Sequence, residues 1–332
     1  LKSLFASVPP SVPVIVVDGA FPADLRSQLS ELSTARPFRH ETREWPLLPN
    51  EARNIGAELA ETEFIVFSDN DILYEAGWLE ALEAHADRTA VEVVAPLICI
   101  GPPRASVVHH AGGVLRVTVD RRGVHLNEMH NLMNRPITDV AKANLPEVTD
   151  TGEFHCLFVR SDFLRKLGFL DERLTTREQN DFALRTRHAG GRVGFEPKAI
   201  VTYNAKTELQ PGDLTYHVFR WNHDDAALSL DAFEKTWGVF LHRDRILKGW
   251  IQGHRRRRIV EQLEKVRSVM GTSLVKHIVA PIVERNILRK INRSTARRLP
   301  RHIPAEERKA VIAELAARTE RERTTRKARR AA

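Results

Sequence analysis

Two carboxylates stand two positions apart in Ser68-Asp69-Asn70-Asp71, directly after the apolar run at residues 64–67. Hard oxygens at that spacing suit Mg²⁺ or Mn²⁺, an ion that a substrate diphosphate commonly completes. A polar turn with an Asx cap accounts for the same residues, so the motif decides nothing alone. Upstream, Asn50-Glu51-Ala52-Arg53-Asn54 carries an arginine whose planar fork matches a phosphate, or forms a solvated helical face. Asp18 ends a second apolar run, 12–17, where its carboxylate could accept an imide hydrogen from a pyrimidine; Asp18-Gly19 is equally a turn pair. Far downstream, Glu178 and Asp181 lie three apart in Arg177-Glu178-Gln179-Asn180-Asp181, so both can face one side of a helix entrance. A carboxylate held there, near a metal without ligating it, is suited to take a proton from an attacking hydroxyl. An acidic first turn that answers the helix dipole is the plainer reading of the same pair.

These residues need a scaffold. Residues 12–17, 64–67, 91–100 and 154–159 read as buried strands, and 193–203 as one or two closing strands. Helical patterns fall between them at 25–32, 51–60 with Asn50 as cap, 78–86, 162–167 and 182–188. Such alternation predicts an α/β fold, with the carboxylates at strand C-terminal ends where open α/β sheets bind ligands. Residues 101–150, which hold His109, His110 and His130, read as a long irregular stretch, more than a compact domain leaves without function or insertion. From Trp221 onward the pattern is helical.

Composition narrows the class. The chain has 332 residues, 42% hydrophobic and 28% charged, which excludes collagenous and wholly disordered proteins. Two isolated cysteines exclude a disulfide framework and a thiolate zinc cage and suit a reducing compartment. No apolar run approaches the ~18 residues of a spanning helix and no leader pattern opens the chain, so the expectation is a soluble cytoplasmic protein. The net charge of +8 is unevenly spread: residues 242–332 carry 26 Lys+Arg against 9 Asp+Glu, and residues 1–241 carry 25 against 34. An acidic body suits a divalent cation, and a basic tail suits phosphate or an anionic surface. In 272–291, Leu274, Val275, Ile278, Val279, Ile282, Ile287, Leu288 and Ile291 fall near one helical face, which lies either on a membrane surface or against the body. The tail's only aromatic residue is Trp250, which argues against nucleic acid.

In series, VIVVDG (14–19), NEARNIGAELA (50–60), FIVFSDND (64–71), GWLEAL (77–82), HHAGG (109–113), EFHCLFVR (153–160), GFLDERL (168–174), REQNDFALR (177–185), AGGRVGFEP (189–197) and FRWN with FEKTWG resemble a family 2 glycosyltransferase of the GT-A fold over roughly residues 5–240. The resemblance implies a Rossmann-like, mostly parallel central sheet in residues 1–240 and leaves 241–332 as a basic α-helical extension. It implies a metal-dependent, inverting transfer from a nucleotide sugar, uridine-linked with Asp18 reading the base, to a glycan or lipid-linked acceptor near the inner face of a plasma membrane. Asp18, Arg53, Asn54 and Asp69 would bind the nucleotide sugar, and Asp71 with Asp69 would hold Mn²⁺ or Mg²⁺. Glu178 would be the catalytic base supported by Asp181, and Glu153 and His155 would line the acceptor side. Three departures stand beside this. Gln179 follows Glu178 where many relatives have Asp or His. Tyr203-Asn204 occupies the place of a histidine ligand, with His217 or His223 as substitutes. The strand expected before VIVVDG is missing, with only a helix at 1–7 ahead of it. A degenerate GT-A module that binds glycan or a partner without catalysis is the alternative these departures leave open.

Overall fold

A computed structural model of the chain describes residues 1–101, 107–204, 213–288 and 290. Its centre is β5 (Val93–Ile100), whose run of Val, Leu and Ile is buried on both faces, as a strand covered on both sides by other layers requires. Five strands follow the order β3 (Phe64–Ser68), β10 (Cys156–Arg160), β5, β11 (Val193–Tyr203), β4 (Ile72–Tyr74), with β6 (Val107–His110) joining β5 and β9 (Val148–Thr149) joining β11. β5 and β11 are parallel, and β3 runs the same way because β10 is antiparallel to both β3 and β5. The sheet is therefore mixed: a common direction for the three long core strands, with antiparallel strands inserted and added. Helices α3 (Pro49–Leu59), α4 (Trp78–Thr89), α5 (Ser161–Lys166) and α6 (Glu178–His188) lie against it, in the α/β class read from the sequence.

The apolar faces meet in two main clusters. Trp78, Leu82 and Ala86 of α4 pack on Val94, Ile98 and Val201, while Ala57 of α3 and Phe182 of α6 pack with Phe67, Leu157 and Val159. Burying such side chains contributes about 1.5–3 kcal/mol each.

Residues 107–149 are not irregular. They hold β6, the hairpin β7 (Gly113–Asp120) and β8 (Gly123–His130), a 3₁₀ turn at Ile137–Lys142 and β9. The hairpin escapes a period-two reading because its outer half is exposed on both faces, so Val117 and Val119 lie in solvent beside polar neighbours. Residues 102–106 are outside the described residues. Two helix starts also differ from the sequence reading. α3 begins at Pro49, whose missing N–H and fixed φ favour the first helical position, and Leu48 N donates to Glu51 Oε2 at 2.9 Å; Asn50 lies inside the first turn and does not cap it. α6 begins at Glu178 and not near 182, after Arg177 in the left-handed region at φ 64.

Strand β1 (Ile15–Gly19) pairs in parallel with β2 (Arg39–Arg43) in a sheet of its own. Among the described residues neither β1 nor β3 has a strand on its other side. Helix α3 reaches both: a Cβ at Gly56 would meet Val17 Cγ2 of β1 at 3.5 Å, and Ala57 packs with Phe67 of β3. The β1–β2 pair and the sheet that holds β3 are thus two separate sheets under one helix. Helix α1 (Lys2–Ser7) lies instead on β4 and α4, where Tyr74 N donates to Ser3 Oγ and Trp78 Nε1 to Ser7 Oγ.

Helices α7 (Asp213–Arg220) and α8 (His223–Trp237) follow, the latter capped by Asn222, whose Oδ1 accepts from the backbone of Asp224 and Asp225. Phe233 of α8 packs with Leu126 of β8 and Leu174, and Leu230 packs with Ile246 and Ile251. Residues on both sides of position 240 therefore share a cluster. Helical segments continue from Arg245–Ile251 to Glu284–Leu288. Val275 and Ala280 face inward, while Leu274, Ile278 and Ile282 form an exposed stripe. The extension at 291–332 lies outside the described residues, and none of the described helices is long and apolar enough to cross a membrane.

Candidate active site

Strand register brings the site together. The antiparallel pairing of β3 with β10 sets Ser68 against Cys156, so the next residues outward, Asp69 and His155, meet: Asp69 N donates to His155 O at 3.0 Å, and His155 Nδ1 lies 3.0 Å from Asp69 Oδ2. The pairing of β4 with β11 sets Ile72 against Tyr203, and Asn204 N donates to Asp71 O at 2.8 Å. Tyr203 stacks on the His155 ring with centroids 4.5 Å apart. Donor atoms of Asp69, Asp71 and His155 lie within 4.8 Å of one another. The histidine beside the aspartate pair is therefore His155; His217 sits on α7, and His223 is 3.4 Å from Asp224 at the start of α8.

Arg53 joins this corner to α6. Its guanidinium donates to Asp69 Oδ1 at 3.0 Å and to Asn50 Oδ1 at 3.1 Å, lies 3.7 Å from Glu178 Oε1, and covers the Phe154 ring. Arg220 approaches Glu178 Oε1 from α7 at 3.8 Å, while Glu178 Oε2 is buried with no hydrogen-bond partner among the described residues. Behind it, Glu128 of β8 accepts from Arg177 at 3.3 Å and Gln179 at 3.2 Å, and lies 3.3 Å from His130. The left-handed backbone at Arg177 costs about 1–2 kcal/mol, which the Glu128 contact helps to offset.

Asp69 and Glu153 are kept ionised by their neighbours. Burial works to raise Asp69, but Arg53 and His155 outweigh it and hold its carboxyl well below the usual range. Burial likewise opposes a charged His155, yet Asp69 raises it to about 9. Glu153 is held low against its burial by His109, which lies 3.0 Å away, and by its other histidine neighbours. His110, fully buried, is pushed down to about 4.

The model of the glycosyl transferase family 2 matches residues 1–167. The chain belongs to that family. Among proteins it resembles, the pre-mycofactocin glycosyltransferases of two Mycobacterium tuberculosis strains, H37Rv and CDC 1551, are each 29% identical over 162 residues, which is 49% of this chain and 31% of theirs. This family 2 chain thus aligns with about a third of the length of those relatives. Two solved structures share its outline more distantly: GalNAc-T7 crystallised with UDP, GalNAc and Mn²⁺, 14% identical with a TM-score of 0.48 over 86% of this chain and 54% of that one, and Staphylococcus aureus TarS 1–349 with UDP-GlcNAc, 14% identical with a TM-score of 0.42 over 83% and 85%.

Within this family 2 domain, the structure gathers Arg53, Asp69, Asp71, Glu153, His155 and Glu178 and sets three expected residues apart. Asn54 is engaged as a tie between elements: its amide donates to Leu170 O and Glu172 Oε1, and its oxygen accepts from Leu170 N. Asp181 faces away from the aspartate pair, accepting from Trp237 Nε1 at 2.9 Å with Arg185 3.8 Å away, so its support for Glu178 is not a direct contact. Asp18 is fully buried at the end of β1, where it accepts from Phe21 N and Arg26 Nε and lies 3.4 Å from His40. Sequence reasoning gave no role to Glu128 and His130. The hairpin that delivers them lay in the stretch read as irregular, and the turn glycine Gly123, at φ 129, was its available signal.

Proposed function

We propose that this domain is a metal-dependent, inverting glycosyltransferase that moves a sugar from a nucleoside-diphosphate donor, uridine-linked, to a hydroxyl of a glycan or lipid-linked acceptor. The observation that carries this reading is Arg53, which touches Asp69 at 3.0 Å and stands 3.7 Å from Glu178, so that a diphosphate group and an acceptor base fall on either side of one guanidinium. Asp69 and Asp71 fit a hard divalent ion such as Mn²⁺ or Mg²⁺, since both offer oxygen donors within 4.8 Å of each other and of His155. A bound ion supplies positive charge against the departing diphosphate. Arg53 adds a bidentate donor beside it. Glu178 takes the acceptor proton through Oε2 as the acceptor oxygen bonds to the anomeric carbon; the bond from that carbon to the diphosphate oxygen breaks, and its electron pair leaves with the nucleoside diphosphate. Glu153 and His155 border the acceptor.

The basic tail and the exposed Leu274, Ile278 and Ile282 support a place on an anionic membrane surface, on the cytoplasmic side where nucleotide sugars are used. The test is a donor panel with purified chain, Mn²⁺ and a glycan acceptor. Asp71→Ala is expected to weaken Mn²⁺-dependent binding of the nucleoside diphosphate, while Glu178→Gln keeps that binding and loses transfer by about 10²–10⁴-fold. Failure of every donor to bind, with both variants indistinguishable from the unmodified chain, would favour the non-catalytic module instead.

A further inference from the structure

Beside the aspartate pair lies a second set of ligand-type side chains. His109 comes from β6, and Glu153 and His155 from the segment entering β10; one donor atom from each lies within 4.8 Å of the other two. Glu153 Oε2 is 3.0 Å from His109 Nε2 and 4.0 Å from His155 Nε2. Donors bonded to one tetrahedral ion at about 2.1 Å stand about 3.4 Å apart, and the two observed spacings straddle that edge. The three side chains are 16%, 12% and 25% exposed, sheltered yet reachable from solvent.

The outer contacts favour the same arrangement. A neutral imidazole has one N–H and one lone pair. His155 Nδ1 lies 3.0 Å from Asp69 Oδ2, so when a binding cation displaces the Nε2 proton, the remaining N–H stays on the Asp69 side and the Nε2 lone pair is freed on the side of Glu153 and His109. Carboxylate–histidine pairs of this kind commonly orient metal ligands. Glu153 is treated likewise: His130 Nε2 lies 3.7 Å from Oε1, leaving Oε2 toward His109. Tyr203 stacks on His155 and also contacts the His109 ring at 5.7 Å, holding the two rings on one side.

We propose that His109 Nε2, Glu153 Oε2 and His155 Nε2 form a second divalent-cation site, separate from Asp69–Asp71. Two imidazoles and one carboxylate select a transition ion such as Zn²⁺ or Co²⁺ over Mg²⁺, and three protein ligands leave a coordination position open. Asp69 connects the two sites, because it belongs to one and orients His155 of the other.

The site is tested on the full chain, stripped of metal by a chelator and titrated with Zn²⁺ by calorimetry and with Co²⁺ by visible absorption, without nucleotide or acceptor. The expected result is one Zn²⁺ equivalent that persists in Asp71→Ala and weakens at least tenfold in both His109→Gln and Glu153→Gln, with Co²⁺ giving the visible bands of a low-coordinate nitrogen–oxygen site that vanish in the same two variants. Circular dichroism confirms that each variant is folded, and either of the pair suffices if the other is not. The proposal is overturned if the folded variants bind Zn²⁺ like the unmodified chain, or if Asp71→Ala alone abolishes all Zn²⁺ binding. Since Asp71→Ala reports on the donor site independently, loss of this second site would leave the glycosyltransferase reading untouched.

Discussion

Single side chains in this site answer to more than one demand, and Asp181 shows how the demands are separated. It stands one helical turn beyond Glu178, a spacing that suits a shared catalytic face, yet its carboxylate accepts from Trp237 and lies near Arg185. Burial raises its pKa above the usual 3.8, more than the Trp237 hydrogen bond and Arg185 lower it. A raised carboxyl pKa means that the native state holds the proton more tightly than the unfolded state. Its contribution is therefore most favourable below the unfolded value and is lost as pH rises through the folded value, leaving a cost at neutral pH. Asp181→Asn keeps an oxygen for Trp237 and removes that cost. It is expected to melt higher than the unmodified chain at pH 7, with the difference shrinking as pH falls toward 4, and to retain transfer activity within a few-fold. A large loss of kcat with no gain in thermal stability would return Asp181 to the chemistry.

Elements place the site through register and through a few ties, of which Asn54 is the most committed. Three hydrogen bonds join its amide to Leu170 and Glu172, fixing α3 against the loop that leads to α6. Arg53, the next residue back, points the other way into the site. Asn54→Ala leaves buried backbone groups of Leu170 unsatisfied, at about 1–3 kcal/mol for each such group. Urea unfolding is expected to show that loss, while calorimetry well below the midpoint finds nucleoside diphosphate affinity unchanged; unchanged stability with weakened binding would contradict the assignment. This also marks how far the sequence could be read. Asp69 and Asp71 stood out only in series with the motifs around them, because a carboxylate pair after an apolar strand is as readily a polar turn. Arg53 and Asn54 were not separable, since adjacent helical residues face about 100° apart and only the packing says which face meets the cleft. His155 stood out in the sequence, but not as Asp69's partner, because the antiparallel insertion of β10 beside β3 sets that meeting and no local pattern encodes it. β2 was missed for a related reason: Arg-His-Glu-Thr-Arg is half-exposed and polar, and its pairing with β1 makes it a strand.

At the scale of the molecule, charge and apolar surface are arranged along the chain in a way no single element explains. Residues 1–241 carry more acidic than basic groups, 34 against 25, and residues 242–332 carry 26 basic against 9 acidic. The C-terminal helical run meets α7 through Ala280, which packs with Val218, and Val275 is also buried, so the inward reading of its apolar residues holds for that face. Leu274, Ile278 and Ile282, four apart, remain 37%, 52% and 49% exposed, with Lys276 and Arg285 exposed among them. An apolar stripe flanked by cations has a use at an anionic bilayer: each basic group near the surface contributes about 1 kcal/mol, and each half-exposed isoleucine adds about 1 kcal/mol when covered by acyl chains. The chain is therefore expected to sediment with phosphatidylglycerol vesicles and not with phosphatidylcholine vesicles, and to release as salt rises above roughly 0.5 M, where screening acts over a few ångströms. Ile278→Glu with Ile282→Glu is expected to weaken sedimentation at least tenfold without altering transfer to a soluble acceptor, because both side chains are exposed on the C-terminal helical run. If the double variant sediments as before, the basic groups alone hold the surface and the stripe has another purpose; if the unmodified chain ignores both vesicles, the membrane placement fails while the chemistry at the sheet's edge stands.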